Sequence, residues 1–218
     1  MTDHDPISPP EELNGFLLVH AALRKGGNDL LAATARFGET PNDPAVLARL
    51  WGFYSRGLRV HHHGEDRVVF PLVRSRQPDF ADIEADMHAE HHTVDELLTA
   101  ADAAFTNLRA DGVAARANEA HAILGELTEA LETHLAHEEA AALPVVVAVI
   151  PEREMVKIEK GFLREIPRKD LGLSLAALEA TTKEHPELHM PPVPKPALVL
   201  LSLVWRRRYA ALVAQANA

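Results

Sequence analysis

Histidine and glutamate carry the chemistry legible in this chain. Thirteen histidines stand among 218 residues, and ten of them fall between His20 and His137. Two stretches repeat each other. His61-His62-His63-Gly64-Glu65 runs on through Asp66, Arg67, Val68, Val69 and Phe70 to Pro71, and His134-Leu135-Ala136-His137-Glu138 runs on through Glu139, Ala140, Ala141, Ala142 and Leu143 to Pro144. In each, a histidine precedes a glutamate by four residues and the glutamate precedes a proline by six. Upstream stand His20 and His91, 41 and 43 residues before the His-x-x-x-Glu that follows each. Four residues are about one helical turn, so His61 with Glu65, and His134 with Glu138, can reach one ion or an adjacent pair. A bare carboxylate on an inward stripe is costly unless it is paired or ligated. Two such carboxylates with four imidazoles and no inward Lys or Arg call for a cation. Because the chain has no cysteine, the donors are nitrogen and oxygen, which suits iron, manganese or zinc. Two carboxylates with several histidines suit a pair of ions better than one, and iron is the first expectation.

Taken singly, these residues carry little. A histidine on an apolar stripe is most often a core residue, and one His-x-x-x-Glu is most often a surface pair. The six together on inward faces, within a repeat, point to metal. In the third segment His88 and His92 form a competing His-x-x-x-His beside Glu84, Asp95 and Thr99, whereas His91 is spaced to Met87, Val94 and Leu98 and is preferred. His62 with Asp66 competes with His61 and Glu65. His134 with Glu139 has a spacing of five that points about 140° away. The proline register favours His61, Glu65 and Glu138. His63, His121, His137, His185 and His189 read as solvated or structural. Tyr54, seven residues before His61 on the same stripe, reads either as a core tyrosine or as a catalytic donor that tunes the metals.

Four helical segments must position these groups. Apolar periodicity predicts helices over about 10–37, 43–70, 80–108 and 113–143, broken at Gly38 to Pro44, Pro71, Asp111-Gly112 and Pro144. In the second, Leu47, Leu50, Tyr54, Leu58, His61, Glu65 and Val68 stay on one face. Pro71 closes this helix or kinks it. Long helices with short connections pack as an antiparallel up-down four-helix bundle, so the fold class is all-α. Val145 to Ile150 has strand propensity but no partner strand, and is expected to be a short buried continuation. Residues 1–148 then form the bundle and 149–218 a helical C-terminal extension packing on or flanking it. Within the extension, a last helix over about 196–215 places Leu201 and Trp205 toward the bundle and Arg206 to Arg208 toward water.

Composition narrows the functions. The formal charge of −10 weighs against nucleic acid, and 47% hydrophobic with 25% charged residues is the make-up of a globular chain. Met1 to Pro10 has neither the basic start nor the apolar stretch of a leader. The apolar runs Leu143 to Ile150 and Ala197 to Trp205 fall short of the about 20 residues of a membrane span. A cytoplasmic protein without membrane contact is expected, and no glycine loop suggests an organic cofactor.

His20, His61-x-x-x-Glu65 ahead of Phe70-Pro71, Glu90-His91, and His134-x-x-x-Glu138-Glu139 together resemble the hemerythrin family in its bacterial HHE cation-binding form, over about residues 10–148. The resemblance implies a four-helix bundle around an oxygen-bridged non-haem di-iron centre, two Fe per chain. Glu65 and Glu138 would bridge, and His20, His61, His91 and His134 would be terminal ligands. Oxygen-carrying hemerythrins use a His-x-x-x-His on helix three and a His-x-x-x-x-Asp on helix four. Here helix three offers one inward histidine and helix four a glutamate at spacing four. That departure weighs against reversible oxygen carriage and leaves a position for water, peroxide or nitric oxide. The expected function is binding and reaction with small oxidants (hydrogen peroxide, nitric oxide, O2), with catalase- or peroxidase-like turnover. The alternative is an O2, nitric oxide or iron sensor or store whose extension reports to a protein partner.

Overall fold

A computed structural model describes residues 13–37, 43–190 and 195–217. The reading of Met1 to Pro10, the start of the first helix at Pro10 and most of the turn from Gly38 lie outside the described residues. Among those described there is no strand, and no helix is long and apolar enough to cross a membrane.

Four long helices form the bundle: α1 (Asn14–Ala35), α2 (Pro44–Gly64), α4 (Ala81–Asp111) and α5 (Ala114–His137), with the short α3 (Phe70–Arg76) and α6 (Leu143–Val149) prolonging α2 and α5. Local chemistry sets several ends. Pro44 opens α2 with its fixed φ, while the Asp43 carboxylate accepts the Ala45 N–H at 2.8 Å. Gly112 closes α4 in the left-handed region at φ 64°, where a side chain would be strained. α1 packs against α2 and α5, and α4 packs against the same two, so the helices form a ring in which chain neighbours are spatial neighbours.

The strand-prone run after Pro144 is helical, as the lack of a partner strand requires. The two prolines neither end nor break their helices. Pro71 has no N–H for the carbonyl of Arg67, so a continuous α-helix would lose that bond and meet the proline ring. A π-helical turn over Glu65–Val69 absorbs the mismatch, with the Phe70 N–H donating to the Glu65 carbonyl five residues back. The same turn recurs over Glu138–Ala142, where the Leu143 N–H donates to the Glu138 carbonyl. Each inward glutamate is therefore the first residue of a π turn.

The core comes in two apolar clusters. One holds Leu23, Leu58, Val94, Leu98, Leu127 and Leu131; the other holds Phe16, Val69, Phe70, Met87, Ala142 and Leu143. On every bundle helix the candidate metal residues fall between the two, as His20 does between Phe16 and Leu23, and His91 between Met87 and Val94. The site is a polar layer with hydrocarbon above and below it.

Beyond the bundle lie α7 (Glu152–Glu165), α8 (Arg168–Thr181), α9 (Lys195–Leu200) and α10 (Arg206–Ala216), with a π turn over Leu201–Trp205. Met155 and Ile158 of α7 join the second cluster, and Phe162 lies over Gly64. α8 is tied to α2 by a bidentate pair, Arg56 Nε and Nη2 to Asp170 at 2.6 and 3.0 Å. Leu201 is buried with Leu175, Ala176 and Tyr209, and Phe53 of α2 packs against that cluster. Trp205 packs on Gly172 of α8, a contact within the extension that the bundle-facing expectation did not include. Arg206, Arg207 and Arg208 are exposed, Arg206 pairing with Glu179.

Candidate metal centre

α1 supplies His20, α2 supplies His61 and His62, the first π turn Glu65, α4 His91, α5 His134 and the second π turn Glu138. All seven are buried, and their donor atoms fall into two groups. His20, His61, Glu65 and Glu138 form one and His62, His91 and His134 the other, each with its donors within 4.8 Å of one another. The glutamates face both groups. Glu138 Oε2 lies 3.2 Å from His20 Nε2 and 3.8 Å from His134 Nε2. Glu65 approaches His61 Nδ1 at 3.1 Å through Oε1 and His91 Nε2 at 3.6 Å through Oε2. His91 Nε2 and His134 Nε2 are 3.1 Å apart.

These atoms lack ordinary partners. His20 Nε2, His61 Nε2, both ring nitrogens of His62 and all four carboxylate oxygens of Glu65 and Glu138 are buried without a hydrogen bond. Buried polar atoms are almost always satisfied, so eight orphans in one layer mark a place where a cation fits.

The opposite edges of three rings are anchored. His20 Nδ1 meets Glu139 at 2.9 Å, His91 Nδ1 meets Asp66 at 2.8 Å, and His134 Nδ1 meets Glu90 at 2.9 Å. A carboxylate on Nδ1 fixes the tautomer and turns the Nε2 lone pair inward, the outer support typical of ligating histidines. Glu90 also receives His137 at 2.7 Å, and Arg24 bonds Glu139 at 2.7 Å.

The charges of the layer shift one another in opposite directions. Burial, helped by the charge of Glu138, pushes the Glu65 carboxyl well above the usual carboxylate range. Burial acts on Glu138 in the same direction, but contact with His20 outweighs it and holds that carboxyl low. Burial alone would lower His20; Glu138 and Glu139 instead raise it to about 9. His61, His62 and His134 are held below the ordinary imidazole value, first by burial and then by neighbouring rings. A neutral imidazole is the form that donates a lone pair to metal.

The structure thus brings His20, His61, Glu65, His91, His134 and Glu138 into one layer. His91 is the inward histidine of α4, while His92 is 76% exposed and His88 lies on the outer side beside Asp66. His62 overturns the either-or reading of the second helix: it is fully buried beside His61, because consecutive residues about 100° apart straddle a wide inward face. Its ring stacks on His91 with centroids 4.0 Å apart. His121 has a structural bond to Thr34 at 3.0 Å and His63 is exposed. Sequence reasoning also missed the outer carboxylates. Their signal was an acidic residue directly after each inward glutamate, Glu65-Asp66 and Glu138-Glu139, each of which reaches the lone histidine of another helix. Tyr54 is buried with its hydroxyl against Gly27 and hydrogen-bonded to nothing in the layer.

An all-α bundle holding five histidines and two glutamates in a buried layer is a cation-binding helical protein. The chain belongs to the hemerythrin family: the model of the hemerythrin HHE cation-binding domain matches residues 13–156, taking in the four bundle helices, both π turns and the start of α7. No curated protein and no solved structure gives a significant match.

Proposed function

We infer that the chain is a non-haem di-iron protein that binds and reacts with small oxidants: hydrogen peroxide, nitric oxide or dioxygen. The observation that carries this reading is the division of seven buried donors into two groups with both glutamates facing each, a layout for two ions. His20, His61, Glu65 and Glu138 would hold one and His62, His91 and His134 the other, with the glutamates spanning them. Iron bound there would supply Lewis acidity and a change of oxidation state. The chain's own part is positional. Asp66, Glu90 and Glu139 hold the Nδ1 protons of three imidazoles so that their Nε2 atoms converge. The apolar clusters on either side keep bulk water from the layer and strengthen every charge interaction within it.

The test is elemental analysis and visible absorption of protein purified without chelator, followed by peroxide and nitric oxide consumption. About two irons per chain with charge-transfer bands and turnover of either oxidant is the expected result. Zinc alone, or no metal, would overturn it. Iron without turnover would assign the chain to sensing or storage, the second reading, favoured by the contacts of α7, α8 and α10 with the two helices that carry His20, His61 and His62.

A further inference from the structure

Hydrocarbon closes the buried layer above and below, so an ion must reach it from the flanks. The carboxylates that anchor the three rings mark those flanks. Glu139 is bonded to Arg24, whose charge repels a cation, and Glu90 stands beside a single partly exposed imidazole, His137. At the third flank, Asp66 Oδ1 lies 2.8 Å from His91 Nδ1 and 3.3 Å from Nε2 of His88, which is 46% exposed. One carboxylate oxygen thus touches both a ring of the layer and the outer surface of α4.

That surface carries donors at helical spacing. His88, His92 and Glu96 follow one another at intervals of four in α4, so their side chains stack turn upon turn, with neighbouring Cβ atoms about 5–6 Å apart. Two imidazoles at this spacing can share one transition-metal ion. His92 Nε2 lies 3.4 Å from Glu96 Oε1, and both side chains are open to water, 76% and 71% exposed. The surrounding charge favours a cation. α4 carries five aspartates and three glutamates against one basic residue, Arg109, more than four turns beyond His92. Of the arginines on α2 and α3, Arg59 is paired with Asp102 and Arg74 with Glu84. Arg67, exposed and next to Asp66 in the chain, opposes a cation, and Asp66, Asp95 and Glu96 outweigh it.

We propose that His88 and His92, with the Glu96 carboxylate, form an outer site for a divalent transition-metal ion, and that Asp66 passes the ion from this site to His91 in the layer. Imidazole and carboxylate donors without sulfur suit ferrous iron, cobalt, nickel or zinc. Open to water, the outer site holds an ion less tightly than the layer with its two buried carboxylates, which is the direction in which an ion must move. The outer site stands on its own residues; the handover rests on the reading of the layer as a metal centre.

The test uses the full chain. Calorimetric titration with Ni2+ should show one weak, micromolar site per chain beyond any ion the layer holds. His88→Ala and His92→Ala should each weaken that site about tenfold or more, while His185→Ala, 44% exposed beside Glu187, should leave it unchanged. Loading of chelator-stripped protein with Co2+, followed by visible absorption, should be severalfold slower in His92→Ala at low micromolar Co2+ and still reach the parent's final occupancy. Nickel affinity equal to the parent's in both His88→Ala and His92→Ala would overturn the outer site. Loading of His92→Ala at the parent's rate would overturn the handover, and so would a lower final occupancy, which would make His92 a ligand of the layer itself. A chain that binds Ni2+ through His92 but takes no ion into the layer would keep the outer site and remove the di-iron reading; a chain that holds iron but has no His92-dependent nickel site would do the reverse.

Discussion

Orphaned inward atoms make every residue of the layer dependent on the others. Each buried group left without its counter-charge costs several kcal/mol, so on the proposed di-iron reading removing one carboxylate would unbalance the ions as well as delete a ligand. Glu65→Ala and Glu138→Ala should each lose bound metal, more completely than the about 10–100-fold weakening caused by losing an outer support. Full metal occupancy in both variants, measured by elemental analysis, would disprove the ligand assignment. His62 gives a sharper contrast. His62→Ala should lose metal although its neighbour His61 remains, while His92→Ala, 76% exposed beside Glu96, should keep it. Equal occupancy in these two variants would remove His62 from the centre. The i, i+4 spacing made His61 and Glu65 legible from sequence, since it states directly which residues share a face. His62 was not legible, because one stripe per helix is too narrow a description of a helix that meets two neighbours in a bundle. Asp66 and Glu139 were hidden for a different reason: their partners lie on other helices, at separations of 25 and 119 residues that no local period encodes.

Helices carry the site through two devices, the π turn and the bare glycine face. The long bundle helices could be read from apolar periodicity because each buries a continuous stripe. Proline marked the two π turns without revealing them, since a missing N–H signals a disturbed ladder but not whether the helix stops, kinks or widens. α7 was not singled out within the helical extension although Met155, Ile158 and Phe162 recur at helical spacing, and the surface they pack on is one the bundle must first provide. The close approach that seats α7 is Gly64, just before Glu65, where a Cβ would come within 2.6 Å of the Phe162 ring. Gly64→Ala should therefore push that ring away and destabilise the fold by about 1–3 kcal/mol, the usual cost of overpacking, despite the better helix propensity of alanine. Thermal unfolding measures it, and a variant as stable as the parent would mean that α7 does not rest on α2 at this point. Gly172→Ala should act similarly through Trp205, whose indole lies 2.5 Å from the Cβ position.

For the molecule as a whole, the polar layer is both a weakness and a source of stability. It interrupts the core between two apolar clusters, so the metal-free protein keeps unpaired carboxylates and imidazoles where hydrocarbon would pack. A cation that binds the folded chain and not the unfolded one stabilises it by mass action, by about 4 kcal/mol at a thousand times its dissociation constant. For a chain of this length each kcal/mol moves the midpoint by about 2–4 °C, so chelation should lower the unfolding temperature by roughly 10 °C. Adding back iron should restore it in a concentration-dependent way. The same treatment of Glu138→Ala should give a much smaller shift, because the variant has little metal to lose. If chelator left the parent's midpoint unchanged while removing its metal, the layer would have to be satisfied by protons and water alone, and the fold would not depend on the ions that its orphaned donors are arranged to receive.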